Sequence, residues 1–151
     1  MRAILQRVQH AKVEIDGKIS GQTGPGLLVL LGITHDDTEA DIAWLTKKML
    51  QLRIFSDDAG KMNLSVKDIG GGLLIVSQFT LFANVKKGNR PSYVRSAPPD
   101  VAIPMYERFL AHVRSVFSGP VETGEFGAMM EVSLLNDGPV TIILDSKQPD
   151  Y

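Results

Sequence analysis

The sequence predicts an α/β fold: a single domain with a mixed or antiparallel β-sheet, or a part-open β-barrel, and two main helices packed on one side. Three observations predict it. Leu27 to Ile33 is apolar at consecutive positions, as a strand covered on both faces is, and Leu73 to Phe82 is a second strongly apolar strand. Thr38 to Leu52 and Val101 to Phe117 repeat apolar residues at three- and four-residue steps, as helices do. Short alternating stretches punctuated by Gly, Pro, Asn and Asp fill both ends of the chain. The 151 residues fit one compact domain, which buries roughly 70% of the surface its unfolded chain exposes.

Taken in order, Ile4, Val8, Val13 and Ile15 sit among polar residues and predict one long strand or two short ones. Asp16-Gly17 is a hairpin signal, with Lys18 to Thr23 as the returning strand. Gly24-Pro25-Gly26 punctuates the chain before the Leu27 run. In the first helix Asp36, Asp37 or Thr38 serves as the cap, and acidic Asp37, Glu39 and Asp41 suit the positive end of the dipole. Its buried stripe is Ile42, Leu45, Met49 and Leu52, flanked by Trp44. Arg53 to Ser56 is a short strand and Asp57 to Gly60 a turn. Ile69 to Gly72 leads into the second apolar strand. The second helix carries Met105, Phe109, Leu110, Val113 and Val116 on one face. Val121 to Thr123, Met129 to Leu135 and Val140 to Asp145 are strands, with a turn at Asn136-Asp137-Gly138.

Composition narrows the function. The chain has no cysteine, which removes disulfides, thiolate catalysis and Cys-ligated zinc. Sixteen Lys and Arg against 17 Asp and Glu give a formal charge of −1, so no broad basic face announces nucleic acid. His10, His35 and His112 are isolated, with no metal-ligand spacing. Gly70-Gly71-Gly72 precedes a strand rather than joining a strand to a helix, so a phosphate-loop reading fails. The first residues are too polar for a signal-peptide core, and the apolar run Leu27 to Leu31 is far short of a bilayer span of ~20 residues. Cytoplasm is the expected location.

Three stretches offer chemistry. Ser77-Gln78-Phe79-Thr80-Leu81 closes an apolar strand with polar side chains, and strand ends hold groups rigidly. Thr80 as nucleophile needs a base, and no His lies nearby in sequence. Backbone N–H groups at this turn are the other source of catalysis, and a merely polar strand face is the plain alternative. Asn136-Asp137-Gly138-Pro139-Val140-Thr141 reads locally as a tight turn. Asn84 to Pro99 holds Lys86, Lys87, Arg90 and Arg95 with Tyr93, which suits RNA phosphates and bases, although four cations within ten residues are more often a solvated surface.

These stretches together resemble the D-aminoacyl-tRNA deacylase family. S-Q-F-T-L at 77–81 and N-D-G-P-V-T at 136–141 match its two signature motifs. The opening M-R-A-I-L-Q-R-V, the stretch Gly88-Asn89-Arg90-Pro91-Ser92, and F-G-A-M-M at 126–130 match as well, so the likeness spans essentially the whole chain.

The resemblance implies hydrolysis of the ester of D-aminoacyl-tRNA, and of mischarged glycyl-tRNA, with no metal or organic cofactor. Ser77, Gln78, Phe79 and Thr80 would lie at the scissile ester. Gly138, Pro139, Val140, Thr141, Met129 (or Met130), Arg7 and Leu81 would bind substrate and select its hand. Gly138-Pro139 would be a cis peptide entering the pocket of a second copy, steadied by Arg7. Lys86, Lys87, Arg90 and Arg95 would meet the tRNA. The partners implied are the aminoacyl-tRNA 3′ end and a second copy of the chain, with no membrane and no DNA. Many D side chains must be accepted, so the pocket must read the α-carbon, and exclusion of the L isomer is the expected device. The competing readings are a dimeric ligand-binding or regulatory module without esterase activity, and an editing domain acting on L-aminoacyl-tRNA.

Overall fold

A computed structural model describes residues 1–150. β1 (Arg2–Ile15) is one continuous 14-residue strand. It turns at Asp16 (φ 50°) and Gly17 (φ 74°), the left-handed pair that a two-residue hairpin loop requires. β2 (Lys18–Thr23) and β3 (Gly26–Gly32) then return along it. Ala11 faces Thr23 and Val8 faces Gly26, so each strand advances three residues between the pairs. β2 and β3 are therefore one antiparallel arm interrupted by Gly24-Pro25.

β3 pairs in parallel with β6 (Gly72–Ser77), and β6 in parallel with β7 (Val121–Thr123). β8 (Glu131–Asp145) runs antiparallel along β1. The order β2-β1-β3-β6-β7 curls back on itself, with the Ser20 hydroxyl 3.5 Å from the Thr123 carbonyl oxygen. The sheet is mixed and nearly closed, like a barrel. A small ribbon of β4 (Phe55–Ser56) and β5 (Met62–Leu64) lies outside it.

The curl explains the consecutive apolar runs. Leu27, Val29, Leu31, Leu73 and Ile75 face the helices α1 (Glu39–Gln51) and α2 (Pro99–Val116), joining Ile42, Leu45, Met49, Phe109 and Val113 in the larger core. Their neighbours Leu28, Leu74 and Val76 point the other way and meet Val8, Ala11 and Val13 in a second core. Phe109 is fully buried, a contribution of about 2–3 kcal/mol from its apolar area. No described helix is long and apolar enough to cross a membrane.

One of the three candidate caps is selected, and two expectations change. Thr38 is the cap of α1: its N–H and hydroxyl each donate to the Asp41 carboxylate at 2.8 Å. Asp37 turns away to accept from the Met1 ammonium and from the Thr34 N–H. The strand expected to reach Phe82 stops at Ser77, and Phe79–Phe82 forms one turn of 3-10 helix. The last pair of the β3–β6 ladder, Ser77 beside Leu31, lies one residue from the end of β3, so the residues beyond have no ladder to join. Finally, Asn136 to Gly138 is no hairpin turn. β8 passes through it, because Gln6 pairs Thr141 and Val8 pairs Asn136. Four residues bulge out opposite Arg7 alone.

Candidate active site

The parallel strands β3 and β6 end side by side, and the Gln78 N–H donates to the Leu31 carbonyl at 2.7 Å as the last rung. The chain then coils. In the 3-10 turn the Leu81 N–H donates to the Gln78 carbonyl (3.3 Å) and the Ala83 N–H to that of Thr80 (3.0 Å). The i-to-i+3 pattern leaves the Phe79 and Thr80 N–H groups with no acceptor inside the turn. The Gln78 side-chain amide donates to Thr80 Oγ1 at 2.5 Å, so the threonine hydroxyl keeps its own proton to donate. Among the described residues no carboxylate or imidazole is bonded to it.

The turn is braced from outside. The Ser96 hydroxyl donates to the Phe79 carbonyl (2.7 Å), and Arg2 Nη1 donates to that of Leu81 (2.9 Å). The Tyr93 ring meets Phe79 edge-on, centroids 5.0 Å apart. Ser96 is itself held to the end of β3: it bridges Thr34, and the next N–H, of Ala97, donates to the Ile33 carbonyl at 2.9 Å.

Beside this turn lies a largely apolar cavity of about 330 Å³. Ser77, Gln78 and Phe79 form one wall, and Phe126 to Met130 the other. Leu31, Ile33, Ala97 and Ala102 close it. Met129 is 91% exposed and overhangs the opening, whereas Met130 is part-buried against the second core. Phe126 rests against Tyr106, whose hydroxyl donates to the Ile75 carbonyl at 2.9 Å. Burial pushes the Tyr106 phenol up to about 12, so it is a neutral prop rather than an acid or base.

The structure gathers Ser77, Gln78, Phe79 and Met129 at the cavity, with Thr80 attached through Gln78. Leu81 is on the far side of the turn, outside the lining. Gly138, Pro139, Val140 and Thr141 are not at this cavity either. Gly138, Pro139 and Val140 stand on the β8 bulge and Thr141 at its edge, paired with Gln6, eight or more residues beyond Met130, with Gly138 and Pro139 exposed. The Gly138-Pro139 peptide is cis.

Arg7 holds that bulge. It is 8% exposed, and its Nε donates to the Asp137 carbonyl (3.0 Å) while Nη1 reaches the Ile54 carbonyl (2.5 Å). An ion pair to the Asp137 carboxylate (3.2 Å) completes the grip. Asn136 accepts from the Val140 N–H (3.0 Å) and donates to Gln6 and Thr141, closing the loop from inside.

Lys86, Lys87 and Arg90 are exposed near the tip of a loop pinched by two Asn84–Ser92 backbone bonds. Arg95 is exposed but stands apart from them, in a separate groove. Sequence reasoning missed Ala97, Ala102 and Ser96; it named Phe126 only within a matching stretch, and Tyr93 as an RNA contact rather than as the neighbour of Phe79. Only small residues flanking Pro98-Pro99 hinted at the cavity floor.

The model of the D-Tyr-tRNA(Tyr) deacylase family matches residues 4–145. A D-aminoacyl-tRNA deacylase of Thermosipho africanus is 58% identical over 98% of this chain and 99% of its own. Among solved structures, one described as "c-Myc DNA Unwinding Element Binding Protein" superposes with a TM-score of 0.92 at 41% identity, over 96% of this chain and 98% of that one. Another, described as a "probable eukaryotic D-amino acid tRNA deacylase", shares the fold at a TM-score of 0.77 and 20% identity, over 95% and 97%.

Proposed function

The chain belongs to the D-Tyr-tRNA(Tyr) deacylase family, and from that premise we propose how it hydrolyses D-aminoacyl-tRNA in translation proofreading. Residues 1–151 act as one deacylase domain, in the cytoplasm. Membership sets aside the module without esterase activity.

The observation that carries the mechanism is the Ser77–Thr80 turn beside an apolar cavity, in which the Phe79 and Thr80 N–H groups have no acceptor within the turn. The ester carbonyl lies against the turn, and those N–H groups stabilise the oxyanion as it forms. Either water or the neighbouring ribose 2′-hydroxyl attacks the carbonyl carbon. The bond to the ribose 3′ oxygen breaks and that oxygen takes a proton. Water attack frees the amino acid at once; attack by the 2′-hydroxyl passes it to the 2′ oxygen, from which water releases it. Thr80 acts through its backbone N–H and not as a nucleophile, because among the described residues the partner of its oxygen is the Gln78 amide and no base is in contact.

A second copy of the chain supplies the selection of hand. Gly138 and Pro139 are exposed and remote from their own cavity, yet Arg7 holds them rigid, as suits a device that works on a neighbour. β8 has one edge against β1 and exposes Leu135 and Ile143, apolar surface that a partner would cover. In the partner's cavity the two carbonyls bind the α-ammonium and fill the space an L side chain needs. Val140 and Thr141 set their height, while Leu81 supports the turn from behind. Lys86, Lys87, Arg90 and Arg95 meet tRNA phosphates.

The Leu135→Glu, Ile143→Glu double variant tests this reading. It should sediment as a folded monomer and lose D-over-L discrimination. A monomer that still discriminates fully would overturn the shared site.

A further inference from the structure

A groove of about 610 Å³ lies on the other side of the Phe79–Phe82 turn from the cavity. Phe79 lines the cavity and Phe82 lines the groove, so the two are separated by about 6–8 Å of 3-10 helix. On the opposite side the strip is Val94 to Ala97: Val94 and Arg95 in the groove, Ala97 in the cavity.

The groove has the chemistry of a single-stranded nucleic-acid track. Arg2 lies over the Phe82 ring, 5.0 Å from its centroid, and is fixed there by Asp145 at 2.8 Å and by the Leu81 carbonyl. Lys147 is fixed by Asp41 at 3.0 Å and by the Asp36 carbonyl at 2.9 Å. Asp36 and Asp145 also line the groove, but each is already engaged, Asp36 by the Thr34 hydroxyl and Asp145 by Arg2. His35 stands exposed with one ring nitrogen 3.3 Å from the Val94 carbonyl. Arg95 is exposed and has no carboxylate partner among the described residues. Arg2 and Lys147 are thus fixed and each paired with a carboxylate, which leaves Arg95 as the uncompensated cation beside His35 and an aromatic floor, a surface suited to a phosphate with a stacked base.

We propose that this groove holds the nucleotides immediately upstream of the aminoacylated one, with Arg95 and His35 as the phosphate contacts and Phe82 under Arg2 as the floor. The inference rests on the deacylase reading of the cavity and extends it by giving the 3′ strand a direction across the protein. It also separates Arg95 from Lys86, Lys87 and Arg90, which lie outside the groove lining.

The test compares two substrates. D-Tyrosyl-tRNA carries the upstream phosphates; 3′-O-D-tyrosyl-adenosine carries the same ester and terminal nucleoside without them. The His35→Glu, Arg95→Glu double variant should lower kcat/KM on the tRNA by about tenfold or more, leave the adenosine ester within about twofold, and flatten the salt dependence on tRNA by roughly 0.7 per lost contact. Lys47→Glu, an exposed charge reversal on α1, should leave both substrates unchanged. Equal loss on both substrates, or undiminished turnover of the tRNA, would overturn the track. An unaltered protein that hydrolyses neither substrate would sink the deacylase reading, and the track with it.

Discussion

Replacing Gly138 by alanine perturbs the selection device at one atom. Gly138 has φ +124°, a conformation that a side chain disfavours by about 1–3 kcal/mol. The added Cβ would sit 2.7 Å from Arg7 Nη2 and 3.0 Å from Val140 Cγ2. A flexible arginine would normally swing aside. This one cannot do so cheaply, because Nε and Nη1 are committed to the Asp137 and Ile54 carbonyls. The bulge must therefore move. For a domain of this size the destabilisation corresponds to a fall in Tm of about 3–10 °C. A shift of about 1 Å at a positioning element costs about 100-fold. The ratio of kcat/KM for D- over L-tyrosyl-tRNA should drop by roughly that factor, chiefly because L turnover rises. Single-turnover deacylation of both tRNAs, beside a thermal melt, reads both effects. A variant with a lower Tm but an intact D-over-L ratio would refute the argument that this bulge is the gate.

Three other outcomes are expected. Thr80→Val should keep kcat within about threefold of the parent, since catalysis is assigned to backbone N–H groups and a 2′-hydroxyl or water; an inactive variant with an unchanged melt would restore Thr80 as nucleophile. Glycyl-tRNA, with no side chain to exclude, should be hydrolysed measurably faster than an L-aminoacyl-tRNA, and equal rates would speak against exclusion as the basis of selection. The Tyr106 phenol, pushed up to about 12 by burial, should stabilise the fold fully below pH 10 and lose that contribution, about 2–3 kcal/mol, as pH rises from 10 to 12. Alkaline denaturation should accordingly be shallower in Tyr106→Phe, and an unchanged profile would remove the phenol from the account.

Much of the fold was legible because local and tertiary preferences agree. The Asp16-Gly17 hairpin, the doubly covered Leu27 run and the stripe of α1 all appear where their patterns place them. The failures share a cause. Phe79 to Phe82 has the composition of a strand, and only the end of β3 denies it a neighbour. Asn136 to Pro139 has the composition of a turn, and only β1, pairing on both sides of it, makes it a bulge within one strand.

The candidate site divides the same way. Ser77 to Phe79 could be placed from sequence because a strand end is local. Phe126, Ala102 and Ser96 reach the site only through the sheet's curl and the strap after Asn84, and neither leaves a periodic trace. The separation of Gly138-Pro139 from its own cavity is likewise a property of the folded chain.

The most direct measurement is release of free tyrosine from D-tyrosyl-tRNA and from L-tyrosyl-tRNA by the purified protein, followed side by side under identical conditions. Rapid release of the D isomer with the L ester left intact is the predicted result. Comparable rates on the two, or no release from either, would contradict the assignment of the Ser77–Thr80 turn and its cavity as a handed esterase site.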